Sequence, residues 1–275
     1  MQSSFIAAAV QLSAGLDKQA NLALAARLVR EAAERGAQLV CLPELFSACG
    51  SFTELAELAE PVPGPTSEAM RSLAAELKIT LLAGSIAEAG PQPGKMLNTS
   101  LLFGPDGRLL ATYRKIHLFD VDVPGDATAP AVRVQESQHF HPGGDVVVAA
   151  TPVCRLGLSI CYDLRFPELY RQHAAQQADV IAVPAAFIYT TGRDHWTTLL
   201  KARAIENQAF IVAANQCGGA PTRKYGHSQI IDPWGDVLAT AGEEAEAVVT
   251  ARIDPQRMTD VRTRLPALTH RRIGK

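Results

Sequence analysis

A layered α/β architecture is what this sequence predicts, and three observations carry the prediction. Short β-like apolar runs alternate with stretches of helical periodicity along the whole chain. Two tight-turn signals rich in Pro and Gly, Gly104-Pro105-Asp106-Gly107 and Asp232-Pro233-Trp234-Gly235, punctuate the strand-rich parts. No low-complexity linker divides the chain, so residues 1–275 read as one domain with a core over about 5–253 and a tail over 254–275 at a subunit contact. Strands and helices alternating in this way bury their apolar faces only when stacked, with at least one sheet face covered by helix.

Taken in order, residues 5–11 form an apolar strand. Residues 17–35 form a helix, because Asp17 can cap its first turn, Leu24, Leu28 and Ala32 recur at helical spacing, and Gly36 closes it. A buried strand follows at 38–42, a helix at 66–77 and another strand at 81–86. Residues 98–103 pair with 108–113 across the first tight turn as a hairpin. Strands near 146–150, 155–160, 178–183, 210–215, 228–231 and 245–253 then alternate with helices near 166–177 and 194–208.

Composition narrows the function. A chain of 275 residues, 47% hydrophobic and 20% charged, with ordinary Gly (20) and Pro (17), is neither disordered nor fibrous. It should bury about 75% of its unfolded surface. The longest apolar runs, at 5–10 and 146–150, fall far short of the ~18 residues a membrane helix needs. Met1-Gln2 leads into an apolar strand without a basic leader or a small-residue cleavage pattern, which predicts a cytoplasmic location. A net charge of −2 offers no field for nucleic acid or anionic membrane, so the expected partner is a small molecule. The basic run of Arg257, Arg262, Arg264, Arg271, Arg272 and Lys275 has no interleaved aromatics, and reads as a solvated or subunit-contacting tail. Cysteines 41, 49, 154, 161 and 217 are odd in number, dispersed and free of any CxxC pair, which predicts reduced thiols. His139 and His141 stand two apart with no further ligand at metal-site spacing, so no metal is expected.

Three polar residues follow directly on buried strands. Glu44 comes after Leu39-Val40-Cys41-Leu42-Pro43, Lys115 after 109–114, and Cys161 after Leu156-Gly157-Leu158-Ser159-Ile160. Strand ends are where α/β sheets gather ligands. A thiol with a pKa near 8.5 is mostly protonated at neutral pH; a carboxylate can take its proton and a cation can stabilise the anion that results.

Leu42-Pro43-Glu44, Tyr113-Arg114-Lys115-Ile116-His117-Leu118 and Cys161-Tyr162-Asp163-Leu164-Arg165-Phe166-Pro167-Glu168 resemble the Glu, Lys and Cys signatures of the nitrilase superfamily of carbon-nitrogen hydrolases. His195-Trp196, 203–208 and Tyr225-Gly226-His227-Ser228 followed by Asp232-Pro233-Trp234-Gly235 extend the resemblance to its Nit subgroup of amidases. The resemblance implies a four-layer α-β-β-α sandwich that associates into homodimers or larger homo-oligomers, and it implies no cofactor. Cys161 would be the nucleophile and Glu44 the proton carrier, while Lys115 and the Tyr162 N–H would stabilise the oxyanion of a thioester-forming amide hydrolysis. Glu136, in Val134-Gln135-Glu136-Ser137, matches a second acid of the superfamily and would orient Lys115 or the substrate amide. An acidic substrate needs a cation, for which Arg165, Arg193, Arg223 and Lys224 are candidates, with His195 and His227 as hydrogen-bonding scaffold. The subgroup implies the terminal amide of a 2-oxo acid unit. The stretches 215–218 and 225–228 lie closer to amidases of deaminated glutathione; 115–125 is shared with omega-amidases acting on 2-oxoglutaramate or 2-oxosuccinamate. A silent binding protein on the same fold would be expected to have lost Glu44, Lys115 or Cys161. A nucleotide binder would need phosphate-loop spacing, which Gly143-Gly144-Asp145 and Gly218-Gly219 lack.

Overall fold

A computed structural model describes the whole chain except residues 2, 93, 126, 128–130, 220–221, 244–245 and 274–275. Ala245, the first residue of the strand expected at 245–253, and Lys275 of the basic run lie outside the described residues. In chain order the elements are β1 (Phe5–Gln11), α1 (Lys18–Glu34), β2 (Ala37–Cys41), α2 (Phe52–Leu58), α3 (Pro65–Leu77), β3 (Thr80–Leu82), β4 (Ile86–Ala89), β5 (Met96–Phe103), β6 (Leu109–Arg114), β7 (Asp120–Val123) and β8 (Val132–Gln135). There follow β9 (Val148–Ala150), β10 (Arg155–Leu158), α4 (Pro167–Ala175), β11 (Val180–Ala185), α5 (Tyr189–Asn207), β12 (Phe210–Asn215), β13 (Cys217–Gly218), β14 (Lys224–Tyr225), β15 (Gln229–Ile231), β16 (Val237–Thr240), β17 (Ala247–Ile253) and α6 (Pro255–Arg264).

Two large sheets result, ordered β17-β1-β2-β3-β5-β4, with β6 on β5, and β16-β15-β12-β11-β10-β9. The centre of each is parallel: β1 to β2 to β3 in the first, and β10 to β11 to β12 in the second. Parallel neighbours need a crossover, and helices supply it. Helix α1 joins β1 to β2, α3 lies between β2 and β3, α4 joins β10 to β11, and α5 joins β11 to β12. Those helices cover the outer faces, so the two inner faces are left to meet each other.

The period of two along β1 shows the layering. Ala7 and Ala9 enter the apolar core with Leu39 of β2 and with Leu156, Leu158 and Val180 of the second sheet. Ala8 and Val10 point the other way, onto Leu28 and Ala32 of α1 and Leu73 of α3. Trp196 and Leu200 of α5 and Tyr170 of α4 cap the second sheet. The architecture is therefore the expected α-β-β-α sandwich.

Local chemistry explains the agreements and the differences. Asp17 accepts from the Ala20 N–H at 3.0 Å to start α1, and Gly36 takes φ +83° just beyond its end. The strand expected at 81–86 is two strands, because the chain turns at Gly84 (φ +38°), where a Cβ would lie 1.9 Å from the Pro43 carbonyl oxygen. The hairpin β5–β6 closes as expected, and a second hairpin, β15–β16, forms across Asp232 to Gly235. Helix α5 begins at Tyr189, ahead of the expected 194. Gly192 lets it pass β14 so closely that a Cβ would meet the Tyr225 ring at 2.5 Å.

Elements that bury little apolar surface escaped the sequence reading. Helix α2 has a Ser51–Glu54 capping box but buries only Leu55, and the β7–β8 hairpin is mostly exposed. Helix α6 follows directly on the expected core boundary at 253. Its Met258 and Val261 are buried, Arg257 binds Asp232 at 2.6 Å and Asp236 at 3.0 Å, and Arg262 donates to the Gln208 carbonyl at 3.1 Å. Arg257 and Arg262 of the basic run are thus tied to the rest of the chain. Among the described residues, no helix is long and apolar enough to cross a membrane.

Candidate active site

Four loops at the ends of strands converge between the sheets. Glu44 follows β2 through Leu42-Pro43, and its backbone carbonyl accepts from the Gln216 amide of the second sheet at 2.8 Å. Lys115 follows β6, with its N–H donating to the Asn98 carbonyl of β5 at 2.9 Å. Glu136 opens the 3-10 turn after β8, and its N–H donates to the Phe119 carbonyl at 3.3 Å. Cys161 begins the 3-10 turn after β10 and takes φ +48°, a left-handed conformation uncommon for a side-chain-bearing residue and worth reading functionally.

Asp163 holds that turn. It is fully buried, and one carboxylate oxygen accepts from the Ile160 N–H at 2.9 Å and the Tyr113 hydroxyl at 2.7 Å. The other accepts from the His117 N–H at 3.0 Å and meets its Nδ1 at 2.7 Å, while the His117 ring stacks on Phe166 at 3.7 Å. One carboxylate therefore ties the Cys161 turn to the strand that delivers Lys115.

Lys115 is only 2% exposed, and its ammonium uses its N–H donors on two carboxylates. It lies 3.0 Å from Glu44 Oε1 and 3.1 and 2.9 Å from the two oxygens of Glu136. Glu44 Oε1 also accepts from the Asn98 amide at 2.8 Å, and its Oε2 accepts from the Ala186 N–H at 2.8 Å. Burial pushes the Glu44 carboxyl up, but Lys115 and the bonds from Cys161 and Ala186 outweigh it and hold the group below its ordinary value. Burial would lower Lys115, yet Glu136, Glu44 and Cys161 keep it well above the usual lysine range. Burial raises the Cys161 thiol, the Glu44 charge raises it further, and Lys115 only partly opposes them. At neutral pH the site therefore holds a thiol that donates to an ionised carboxylate, with a permanent cation beside both.

A cleft of about 160 Å³ opens over this cluster, lined by Glu44, Lys115, Glu136 and Cys161, and by Tyr162 and Arg165 among others. Arg165 packs over the rings of Phe187 (5.0 Å) and Tyr162 (5.7 Å), and its Nη1 meets His195 Nδ1 at 3.1 Å. Of the remaining expected cations, Lys224 lines the cleft. Arg193 pairs with Asp194 at 3.3 Å, and Arg223 pairs with Glu243 and packs over Tyr189; neither lines it. His195 stands behind Arg165, and His227 accepts the Trp196 indole N–H on its carbonyl at 2.8 Å.

Sequence reasoning missed Asn98, Asp163 and Gln216 as parts of this site. Asn98 gave a signal, a carboxamide inside the apolar strand β5, where a buried polar group must find a partner. The other two gave none, because Asp163 also meets Tyr113 and His117, and Gln216 meets Glu44, all distant in sequence.

A family model described as carbon-nitrogen hydrolase matches residues 6–263. Omega-amidase NIT2 of Homo sapiens is 41% identical over 271 residues, covering 98% of this chain and 95% of that protein. A deaminated glutathione amidase of Synechocystis is 42% identical over 271 residues, covering 97% and 98%. Among solved structures, the C. elegans NitFhit protein superposes with a TM-score of 0.89 at 36% identity, covering 98% of this chain and 65% of that one. A Glu-to-Gln mutant of the amidase from Nesterenkonia sp. AN1, with the acetamide moiety of fluoroacetamide added covalently at its active-site cysteine, superposes with a TM-score of 0.79 at 28% identity, covering 98% and 94%. Matches of that extent leave one assignment: this chain is a hydrolase of carbon-nitrogen bonds and belongs to the carbon-nitrogen hydrolase family.

Proposed function

We propose that this enzyme hydrolyses the amide of a small 2-oxo acid through a Cys161 thioester, with deaminated glutathione preferred over 2-oxoglutaramate and 2-oxosuccinamate. The observation that carries the chemistry is the Lys115 ammonium held at 2.9 to 3.1 Å between two buried carboxylates, one of which accepts from the Cys161 thiol. Glu44 takes the thiol proton as sulfur attacks the amide carbon. Lys115 and the Tyr162 N–H hold the oxyanion, a contribution of ~3 kcal/mol per donor in comparable sites. The protonated Glu44 then gives its proton to the departing amine, and afterwards activates the water that cleaves the thioester. Glu136 keeps Lys115 in place. Lys115 supplies the electrophilic charge and Glu44 the base, so this mechanism calls for neither metal nor cofactor.

An acidic acyl group is supported by Arg165. Half-buried in the cleft wall, it has no carboxylate partner among the described residues, which makes it the group to receive a substrate carboxylate bidentately. The even similarity to an omega-amidase and to a deaminated glutathione amidase does not separate the substrates; the preference rests on the likeness of 225–228. We further read the protein as a cytoplasmic homo-oligomer that binds no nucleic acid, a reading that the free state of all five cysteines supports as to compartment. Values of kcat/KM on deaminated glutathione, 2-oxoglutaramate and a neutral amide, with Cys161→Ala as control, test the assignment. A higher value on 2-oxoglutaramate would make it an omega-amidase, and preference for a simple nitrile would overturn the amidase reading.

A further inference from the structure

The catalytic cleft does not end at its mouth. A second hollow of about 460 Å³ adjoins it, walled by the start of α2, by β8 and the 3-10 turn after it, and by Thr222 and Lys224. Cys49, Gly50, Phe52, Val134, Thr222 and Lys224 line both spaces, so the two are continuous. The junction is apolar on two sides, where Phe52 and Val134 face it, and Phe52 is fixed from behind by the His139 ring at 4.9 Å. Beyond it the lining turns polar, with Gln135, Gln138 and Arg133, whose guanidinium stands 3.9 Å from Asp122, while Lys224 sits at the junction between the two spaces. Arg165, the cation given above to the acyl carboxylate, is not part of this outer space.

The cleft is thus served by cations along its length, Arg165 within it, Lys224 at the junction and Arg133 in the outer hollow. An acyl-transfer site has two things to hold, the acyl group that stays on sulfur and the amine that leaves. Ammonia needs no outer space. We infer that the outer hollow is a leaving-group subsite, built for an extended amine that carries a carboxylate, whose apolar neck passes between Phe52 and Val134 and whose anion meets Arg133 and Lys224. Cysteinylglycine, the amine released from deaminated glutathione, has that form: a short thiol side chain for the neck, where sulfur against an aromatic ring is favourable, and a terminal carboxylate two residues out. The step balances as before. Sulfur adds to the amide carbon, the oxyanion collapses with cleavage of the C–N bond, the amine leaves with the proton carried by Glu44, and water cleaves the thioester to the free 2-oxo acid and the Cys161 thiol. This inference rests on the thioester reading above and adds what sits on the nitrogen side.

The test uses four 2-oxoglutaryl amides that share one acyl group: those of ammonia, methylamine, cysteinylglycine and C-terminally amidated cysteinylglycine. Wild-type kcat/KM should be highest for the cysteinylglycine amide, and its amidated, uncharged twin should fall about fivefold or more below it. Arg133→Glu, on a side chain 75% exposed and outside the catalytic cluster, should remove that charge preference, lowering the anionic substrate about tenfold while leaving the ammonia and amidated substrates within about twofold. Lys224→Met should depress the anionic substrate more than the ammonia one. Equal values for the charged and uncharged dipeptide amides, or an Arg133→Glu effect of the same size on all four, would overturn the subsite while leaving the thioester chemistry standing. No turnover of any of the four would instead refute the proposed function itself.

Discussion

Replacing Lys115 with Met removes one positive charge from between two carboxylates and changes little in volume. Each carboxylate lies within 3.1 Å of the ammonium, so their nearest oxygens are no more than about 6 Å apart across the vacated space. At an effective dielectric of about 20 their repulsion is ~3 kcal/mol, or about two pKa units on whichever carboxyl yields first. Two consequences follow with definite signs. Glu44, now held low by Lys115, should rise, so the acidic limb of the kcat/KM profile should move up by about two pH units. A carboxyl whose folded pKa exceeds its unfolded value binds more protons when folded, so the variant's stability deficit should grow as pH rises through the carboxylate range, towards about 3 to 5 kcal/mol. Turnover should fall by about 100-fold or more from loss of the oxyanion partner. Steady-state kinetics between about pH 5 and 9 together with urea unfolding at both ends of that range make the check. An acidic limb that stays where it was would show that Lys115 is not the counter-charge of Glu44, and a raised KM at unchanged kcat would reduce it to a substrate holder.

Other expectations are simpler. Cys161→Ser should lose ~10³-fold or more in turnover with an unchanged Tm, and one equivalent of iodoacetamide should label the Cys161 peptide; a label that tracks Cys41 or Cys217 would assign the wrong sulfur. Glu136→Gln keeps an acceptor for the Phe119 N–H but frees the ammonium, and should lower kcat about 10- to 100-fold with KM little changed; an effect confined to KM would place Glu136 on the substrate instead. His173, fully buried, is pushed by burial from 6.5 to about 4, so it is neutral when folded. The unfolded chain therefore binds the extra proton between those values, and stability present in full above about pH 6.5 should be lost by ~3 kcal/mol as pH falls to about 4. The same difference should vanish in His173→Gln, and identical pH slopes for both proteins would disprove it.

The layered fold was legible because its central strands obey local rules. Ala7 and Ala9 against Ala8 and Val10 announce a strand buried on both faces, and the helices between parallel strands carry their own caps and apolar stripes. What stayed hidden is local structure stabilised from outside. Helix α6 has an N-cap at Asp254 and Pro255 at its first position, but only Met258 and Val261 to bury; its arginines read as a solvated tail until Asp232, Asp236 and the Gln208 carbonyl are brought beside them by β15, β16 and β12. The break at Gly84 was equally invisible, since what forbids a side chain there is the Pro43 carbonyl beyond the end of another strand.

The site shows the same division at the level of chemistry. Glu44, Lys115 and Cys161 could be picked out because each stands where a strand stops, and because their residue types suit thiol activation. Their protonation states could not be read in that way. An ionised carboxylate beside a thiol pushed upward, rather than a thiolate paired with a cation, follows from burial of the thiol and the Glu44 charge next to it, and from Lys115 and the Ala186 N–H outweighing burial at Glu44, groups that arrive from both sheets. Glu44 itself is clamped from the opposite sheet through Gln216, and the Cys161 turn is tied by Asp163 to the strand that carries Lys115. The proposed base and nucleophile are therefore placed by the packing of one sheet on the other, so a substitution that opens the alanine-lined seam between β1 and β12 should disturb turnover before it unfolds the protein.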